Sequence, residues 1–555
     1  MKIAIVGGGP AGLYFSLLIK RAFPNYEVDL YERNRPEDTF GFGVVFSDAT
    51  LGNLKAADPE SHREIVANFA HWDDIETHFR GHTLRSGGHG FCGLSRKTLL
   101  MILQKRSREL GVNLHFSHEV ADLAKLKESD LLVAADGVGS TIRTLWADRF
   151  QPNVDVRPNR FVWLGTDVPF DAFTFYFKEA EAGLFRVHAY RYQDVGSTFI
   201  VECTDETFKR TGLAEESESD TIEYLQTVFA HELAGRKLTP NRSVWRRFPT
   251  VRNKKWHFDN VVLLGDAAHT AHFSIGSGTK LAMEDSIALC EELVSRNGSV
   301  EEALASYQEK RSPVVARTQR AAQVSLEWFE GTERYLDLPP LMFEFSLMTR
   351  SLRLGYARLG ERDAEAAKRI GTFFGGKKPP WQAPLCAGPL AAKNRVAGQG
   401  LLPNWADGAD PGLMLSREAK PEDARCFWIR QGSAEGKPDA VVYEVEDASP
   451  ETVFGFAEKH CDQEYPVGLR LRSDENAVVG LAKAAKRGGA KFLVVGANDR
   501  ASQDAGRLRG AYVAERARLE AGILVVAEAD YQSLDDINTV VLAGRADACL
   551  VGPKI

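Results

Sequence analysis

The chain has 555 residues, 44% of them hydrophobic, a formal net charge of -7 and a sequence pI near 6.1. That length supports two or three domains with sizeable cores, and the acidic balance gives no basic field for nucleic acid. No apolar stretch is long enough for a bilayer span and the first strand starts at residue 2, so neither membrane nor signal peptide is expected; Cys92, Cys203, Cys290, Cys386, Cys426, Cys461 and Cys549 are scattered without metal spacing, as in a reduced, cytoplasmic protein.

The apolar run Lys2–Val6 is followed by Gly-Gly-Gly-Pro-Ala-Gly at 7–12 and by a segment of helical periodicity from Leu13 to Lys20. In such a strand–turn–helix unit Gly7 permits the tight turn, Gly9 lets the backbone approach a pyrophosphate, and Gly12 lets helix and strand pack closely, with Pro10 and Ala11 opening the helix. A second strand, Glu27–Tyr31, delivers Glu32 and Arg33 at the distance where an acid accepts ribose hydroxyls. Strand, turn, helix and terminal acid together point to a dinucleotide. Two further buried strands, 131–135 and 261–264, deliver Asp136-Gly137 and Gly265-Asp266 to their carboxyl ends. There an aspartate can accept ribityl hydroxyls, although taken singly each is also an ordinary turn residue.

In this order, GGGPAG, DGVGSTIR at 136–143 and GDAAH at 265–269 resemble the aromatic hydroxylases among the single-component flavoprotein monooxygenases, typified by para-hydroxybenzoate hydroxylase, over residues 1–375. The resemblance implies bound FAD, NADPH or NADH as co-substrate, O2, and hydroxylation of an activated aromatic ring, with Arg96, Gly43 and Val44 against the cofactor. After GDAAH the family continues with two prolines and Gly-x-Gly-x-Asn. Here the segment reads Thr270 to Lys280, TAHFSIGSGTK, with the glycines kept and the prolines and asparagine replaced. Gly276, Gly278 and Thr279 still let amides approach the pyrimidine edge of a flavin, and a helix from about Lys280 adds its positive end. His272 and Phe273 then fall near the reactive face, where His272 could hydrogen-bond activated oxygen or a substrate phenol or amine. A turn histidine filling a proline's place is an equal reading. His269 reads as structural. The segments GFGVVFSD at 41–48 and AHFSIGSGTK at 271–280 are similar to the branch that hydroxylates salicylyl-CoA and anthraniloyl-CoA.

Residues 156–250 hold four aromatic and β-branched runs, read as a mostly antiparallel sheet inserted in the FAD domain, which the resemblance places over the flavin. Phe185, His188 and Tyr190 are assigned to its substrate pocket. Residues 301–375 read as helix; Arg350, Arg353 and Arg358 are either a wet face or a grip on the phosphates of a CoA thioester. A linker follows at 373–381, and residues 384–555 resemble old yellow enzyme barrels at Pro384–Val396, Tyr465–Leu471, Ala490–Val495 and Gly544–Asp547. A complete β/α barrel needs about 250 residues. The shortness, and the lack of the family's histidine strand, predict a shortened barrel-like domain without FMN.

The expected organisation is therefore α/β: a Rossmann-type FAD domain at 1–155 and 251–300, a substrate sheet at 156–250, a helical segment and the remnant barrel. The expected activity is hydroxylation of an aryl-CoA, such as salicylyl-CoA at its 5-position or anthraniloyl-CoA. Alternatives are a free aromatic such as tryptophan or an indole, or a flavin-dependent reductase of the geranylgeranyl reductase type. No metal is expected. A homodimer is one assembly the sequence leaves open.

Overall fold

A computed structural model of the protein describes residues 1–351, 353–375, 394–398, 413–417, 426–431, 440–445, 449–461, 467–497, 508–529, 531, 533–546 and 548–550. The chain divides into two compact units, Met1–Glu330 and Gly331–Ile555. Among the described residues no helix is long and apolar enough to cross a membrane, and no cluster of His, Cys, Asp or Glu could hold a metal ion.

The first unit is built on a six-stranded sheet whose order is His257–Phe258, Val261–Leu263, Leu131–Ala134, Lys2–Val6, Glu27–Tyr31 and Asn113–His115, all parallel except the first pair. Its strands are nearly continuous apolar runs because helices cover both faces; Ile3, Ile5, Leu30, Leu132 and Val262 are fully buried in one core with Leu13, Leu17 and Leu289 of the flanking helices. The chain leaves strand Lys2–Val6 with its partners on opposite sides, so a crevice opens beyond the carboxyl ends. The glycine turn, Glu32, Asp136 and Asp266 all follow strand ends on that edge.

A second, larger sheet runs Leu238–Thr239, Pro152–Thr166, Gly196–Cys203, Gly183–Gln193, Phe173–Ala180, Ile75–Phe79 and His82–Ser86, with Arg246–Asn253 paired along Pro152–Thr166. It is not wholly an insertion. The hairpin 75–86 joins it from the earlier sequence, lying parallel to Phe173–Ala180, and Pro152–Thr166 begins before residue 156. One face packs under the helices Asp205–Thr211 and Glu218–Val228 in a core of Val162, Phe185, Phe199, Phe208 and Phe229. The helical segment expected at 301–375 is split: the 31-residue helix Val300–Glu330 belongs to the first unit and the later helices to the second.

In the second unit eight strands close a barrel. Five are parallel, Ala440–Glu444, Val467–Ser473, Phe492–Ala497, Leu524–Glu528 and Ala548–Leu550, with helices as crossovers; Asn394–Gly398, Leu413–Arg417 and Cys426–Gln431 complete the ring antiparallel. Hairpin strands need no crossover helix, which is how so few residues reach closure. Residues 376–381 of the expected linker, 384–393 and 465–466 lie outside the described residues, as do Asp547 and 551–554. Leu469, Leu471, Leu493, Val495, Val525 and Ala527 pack against the helices, so the alternate positions face the lumen. There Arg470 forks onto Glu528 at 2.7–3.0 Å, beside buried Phe492, Val494 and Val526. Arg472 also donates to Glu528 at 3.0 Å, so the lumen carboxylate is held between two guanidiniums.

Candidate active site

At the crevice of the first unit the glycines fall into two groups. A Cβ on Gly7 would lie 2.1 Å from the carbonyl oxygen of Ala135, and one on Gly12 would lie 2.1 Å from that of Gly7; these two serve the protein's own packing. Gly9, Gly137 and Gly278 meet nothing within 4 Å. Their missing side chains leave space on the ligand side, at the start of helix Pro10–Ala22, beyond Asp136 and at the start of helix Gly278–Ser295. Neither of these helices has a side-chain cap, so their first amides can turn to an anion.

Glu32 accepts from the Gly8 amide at 2.7 Å and from both nitrogens of Asn34, which fixes its carboxylate at the crevice edge; Arg33 beside it is exposed. Asp136 accepts three hydrogen bonds on Oδ2, from the amides of Thr141 and Ile142 and the Thr141 hydroxyl. Its Oδ1 is buried without a hydrogen-bond partner. A buried acceptor left open is costly unless a ligand supplies the donor. Asp266 gives a second test. Its side chain is accessible, yet the protein massed around it pushes its carboxyl above the ordinary range, opposed by His269 and Arg96. Arg96, half-buried, is lowered by the same enclosure, opposed by Asp266 and Tyr190. Access at the atom and enclosure around it coexist in a deep crevice. The residues fit a dinucleotide with hydroxyl and phosphate groups.

Gly43 is wedged against the second sheet. Its amide donates to Thr198 Oγ1 at 3.0 Å, its carbonyl accepts from Tyr190 at 2.9 Å, and a Cβ would lie 2.8 Å from that of Tyr192. Val44 beside it is buried. The segment after GDAAH forms a short helical turn, Phe273–Ile275, closed by Gly276 at φ +61. His272 caps it: Nδ1 accepts from the Ser274 amide, and the Ser274 hydroxyl lies 2.9 Å from His272 Nδ1 and 2.8 Å from Ser325. A backbone N–H only donates, so neutral His272 keeps its proton on Nε2. His269 instead lies 2.7 Å from Asp285, which binds Arg311, in a buried structural network.

Phe273 meets an aromatic wall: Phe161 at 4.9 Å between ring centroids, His188 at 5.3 Å, Trp163 at 5.9 Å and Phe248 at 6.2 Å. Phe161, Trp163, Phe248 and Phe273 remain partly accessible and form one wall of the candidate substrate chamber. His188 and Tyr190 lie on this face but are buried. His188 approaches Glu202 at 3.4 Å, and Tyr190 stacks on Trp72 and Phe173. Phe185 does not join them. It is an odd number of residues away along one strand, so the pleat turns it to the opposite face, onto Tyr224 and Phe229. Sequence reasoning missed Glu202, which is buried among Asn159, His188 and Arg186. Burial raises its carboxyl, but the His188 hydrogen bond and the charges of His272, His188 and Arg186 outweigh this and hold it below the usual range. A lone acid in the apolar run 197–203 was the available signal. The aromatic alternation Phe161-Val-Trp163 was the signal for the wall.

The family model for the FAD binding domain matches residues 1–322. Salicyloyl-CoA 5-hydroxylase of a Streptomyces species is 39% identical over 567 aligned residues, covering 100% of this chain and 99% of the relative. The chain belongs to the FAD-dependent aromatic monooxygenases. This family uses NAD(P)H with its FAD. A 3-hydroxy-4-methyl-anthranilyl-(aryl-carrier protein) 5-monooxygenase of Streptosporangium sibiricum is 35% identical, covering 66% of the chain and 99% of the relative. A crystallised point variant of 2-methyl-3-hydroxypyridine-5-carboxylic acid oxygenase shares the fold at TM-score 0.51 and 20% identity, over 63% of this monooxygenase and 96% of that chain. Arg350, Arg353 and Arg358 belong to the second unit, apart from the unit that carries these motifs. Burial lowers Arg350 to about 9 and lowers Arg353 also; the Arg358 guanidinium donates to the Arg353 carbonyl at 3.1 Å.

Proposed function

We propose that this monooxygenase hydroxylates an aromatic ring carried as a CoA thioester, with salicyloyl-CoA as substrate and the position para to the phenol, C5, as target. The observation that carries it is identity to a salicyloyl-CoA 5-hydroxylase along the whole of both chains, second unit included. The amides of Gly9 and Ala11, with Glu32, Arg96, Asp136 and Asp266, would hold FAD. Bound FAD, reduced by NAD(P)H, supplies the chemistry that activates O2 and delivers an electrophilic oxygen.

The chain's own contribution is placement. The amides of Ser277, Gly278 and Thr279, at the start of helix Gly278–Ser295, would put fixed partial positive charge where negative charge develops on the pyrimidine edge. Phe161, Trp163 and Phe273 stack on the substrate ring and exclude water. His272, beside Phe273 and capping its turn, is assigned to hydrogen-bond the reacting oxygen or the substrate phenol.

The test is NAD(P)H-dependent oxygen uptake stimulated by salicyloyl-CoA, with 5-hydroxylated product. Equal turnover of free salicylate, anthranilate or tryptophan overturns the thioester assignment. Substrate reduction without oxygen uptake overturns the monooxygenase chemistry in favour of a reductase.

A further inference from the structure

Strand Arg246–Asn253 pairs antiparallel with Pro152–Thr166, placing Arg246 opposite Phe161 and Arg247 opposite Arg160. Opposed residues share a face. Arg160 and Arg247 both reach Asp205, each at 2.7 Å, on the helix-covered face. Arg246 therefore projects with Phe161 to the chamber face, where Phe248, two residues on, meets His272 and Phe273. Arg246 is exposed and has no hydrogen-bond or ion-pair partner among the described residues, in contrast to Arg157, Arg160 and Arg247 around it. On the same face Trp163 Nε1 is buried without a hydrogen-bond acceptor. Aromatic walls with two donors suit a flat ring bearing oxygen acceptors on one edge.

We propose that Arg246 is the substrate-orienting residue of the chamber, gripping the adjacent phenol and thioester-carbonyl oxygens of an ortho-hydroxyaryl thioester. This rests on the thioester reading above. The two oxygens occupy neighbouring ring positions and lie in one plane, an arrangement that a guanidinium fork matches with two parallel hydrogen bonds. The ring edge opposite them holds the carbon para to the phenol. Holding the oxygen edge at Arg246 turns that carbon inward and makes hydroxylation regiospecific. A positive charge beside the phenol oxygen also favours its ionised, electron-donating form.

The experiment compares full-length FAD-loaded wild type with Arg246→Gln, Arg246→Lys and, on the other face, Arg247→Gln. It measures kcat and KM for salicyloyl-CoA, product isomers, product formed per NAD(P)H consumed, and inhibition by benzoyl-CoA, which lacks the phenol. Arg246→Gln is expected to raise KM by about ten-fold or more, to lower coupling and to add the isomer hydroxylated ortho to the phenol, with inhibition by benzoyl-CoA, which keeps only the carbonyl, weakened by a smaller factor. Arg246→Lys restores affinity in part but not the single isomer, because an ammonium is a point charge. Arg247→Gln keeps both. A structural role would not change the isomer ratio. An active wild type whose Arg246 variants keep its KM and single product overturns this proposal alone; a wild type inactive on salicyloyl-CoA overturns the thioester reading and this proposal with it.

Discussion

Asp266 is held in an environment that disfavours its own charge. A carboxyl raised above its unfolded value of 3.8 favours the fold when protonated. That contribution is present below the unfolded value and is lost as pH climbs through the folded one, so at neutral pH ionised Asp266 costs the FAD-free protein stability. Asp266→Asn is therefore expected to raise the melting temperature of FAD-free protein at pH 7. Asp266→Ala should weaken FAD binding by about 1.5–3 kcal/mol, the worth of a hydrogen bond to a charged acceptor, measured by flavin titration. Unchanged melting and unchanged affinity would remove Asp266 from the site. Gly12 tests the opposite kind of constraint. With a carbonyl oxygen 2.1 Å from its would-be Cβ, Gly12→Val has to move helix from strand, and the purified variant is expected to be colourless or insoluble; a yellow, stable one refutes the packing account.

At the scale of elements, the second sheet divides its labour by the pleat. Phe185 serves the helix-covered core, while His188 and Tyr190, on the same strand, back the chamber. Phe185→Ala is expected to cost about 3–5 kcal/mol of stability, as for other deleted core aromatics, and to leave KM for the aromatic substrate unchanged in the folded fraction. Urea unfolding and steady-state kinetics on one preparation check both halves; a raised KM with wild-type stability would put Phe185 back in the pocket. The short strand Gly43–Ser47 is placed by tertiary contacts at Gly43, whose amide and carbonyl both bond to the larger sheet.

For the whole molecule, the two units make separate claims on cofactor. The first has open glycine edges and an unsatisfied Asp136 oxygen; the barrel of the second is occupied by the Arg470–Glu528 pair. Extraction and chromatography are expected to give one FAD and no FMN per chain, and stoichiometric FMN would refute the reading of the barrel as an FMN-free remnant. The carrier-protein relative matches only 66% of this chain, whereas the CoA-thioester relative matches all of it. The two readings of Arg353 and Arg358, a phosphate grip or a wet helix face, are separated by charge reversal: a phosphate grip predicts that Arg353→Glu and Arg358→Glu raise KM for an aryl-CoA strongly, through lost attraction and added repulsion, while FAD reduction without substrate stays within about two-fold. Unaltered KM in both variants returns these arginines to an ordinary solvated surface.

The cofactor half of this protein is legible residue by residue, because a dinucleotide crevice is built from local events: a glycine turn after a strand, an acid at a strand end, an aspartate after an apolar run. Each is a short-range pattern, and their order names the family. The resemblance of residues 384–555 to old yellow enzyme barrels, with too few residues for eight β/α units, predicted a shortened barrel, and eight strands close one there. Tertiary structure decided the rest. The hairpin 75–86 joins a sheet whose other strands begin some seventy residues later, a pairing set by burial rather than by any local signal. Phe185 and His188 differ in role through strand phase, which an aromatic-rich segment with both faces covered conceals. Arg246 and Arg247 are neighbours of one residue type. Pairing with Phe161 and Arg160 sends one to the chamber and the other to Asp205, a distinction made by register, which no single strand carries.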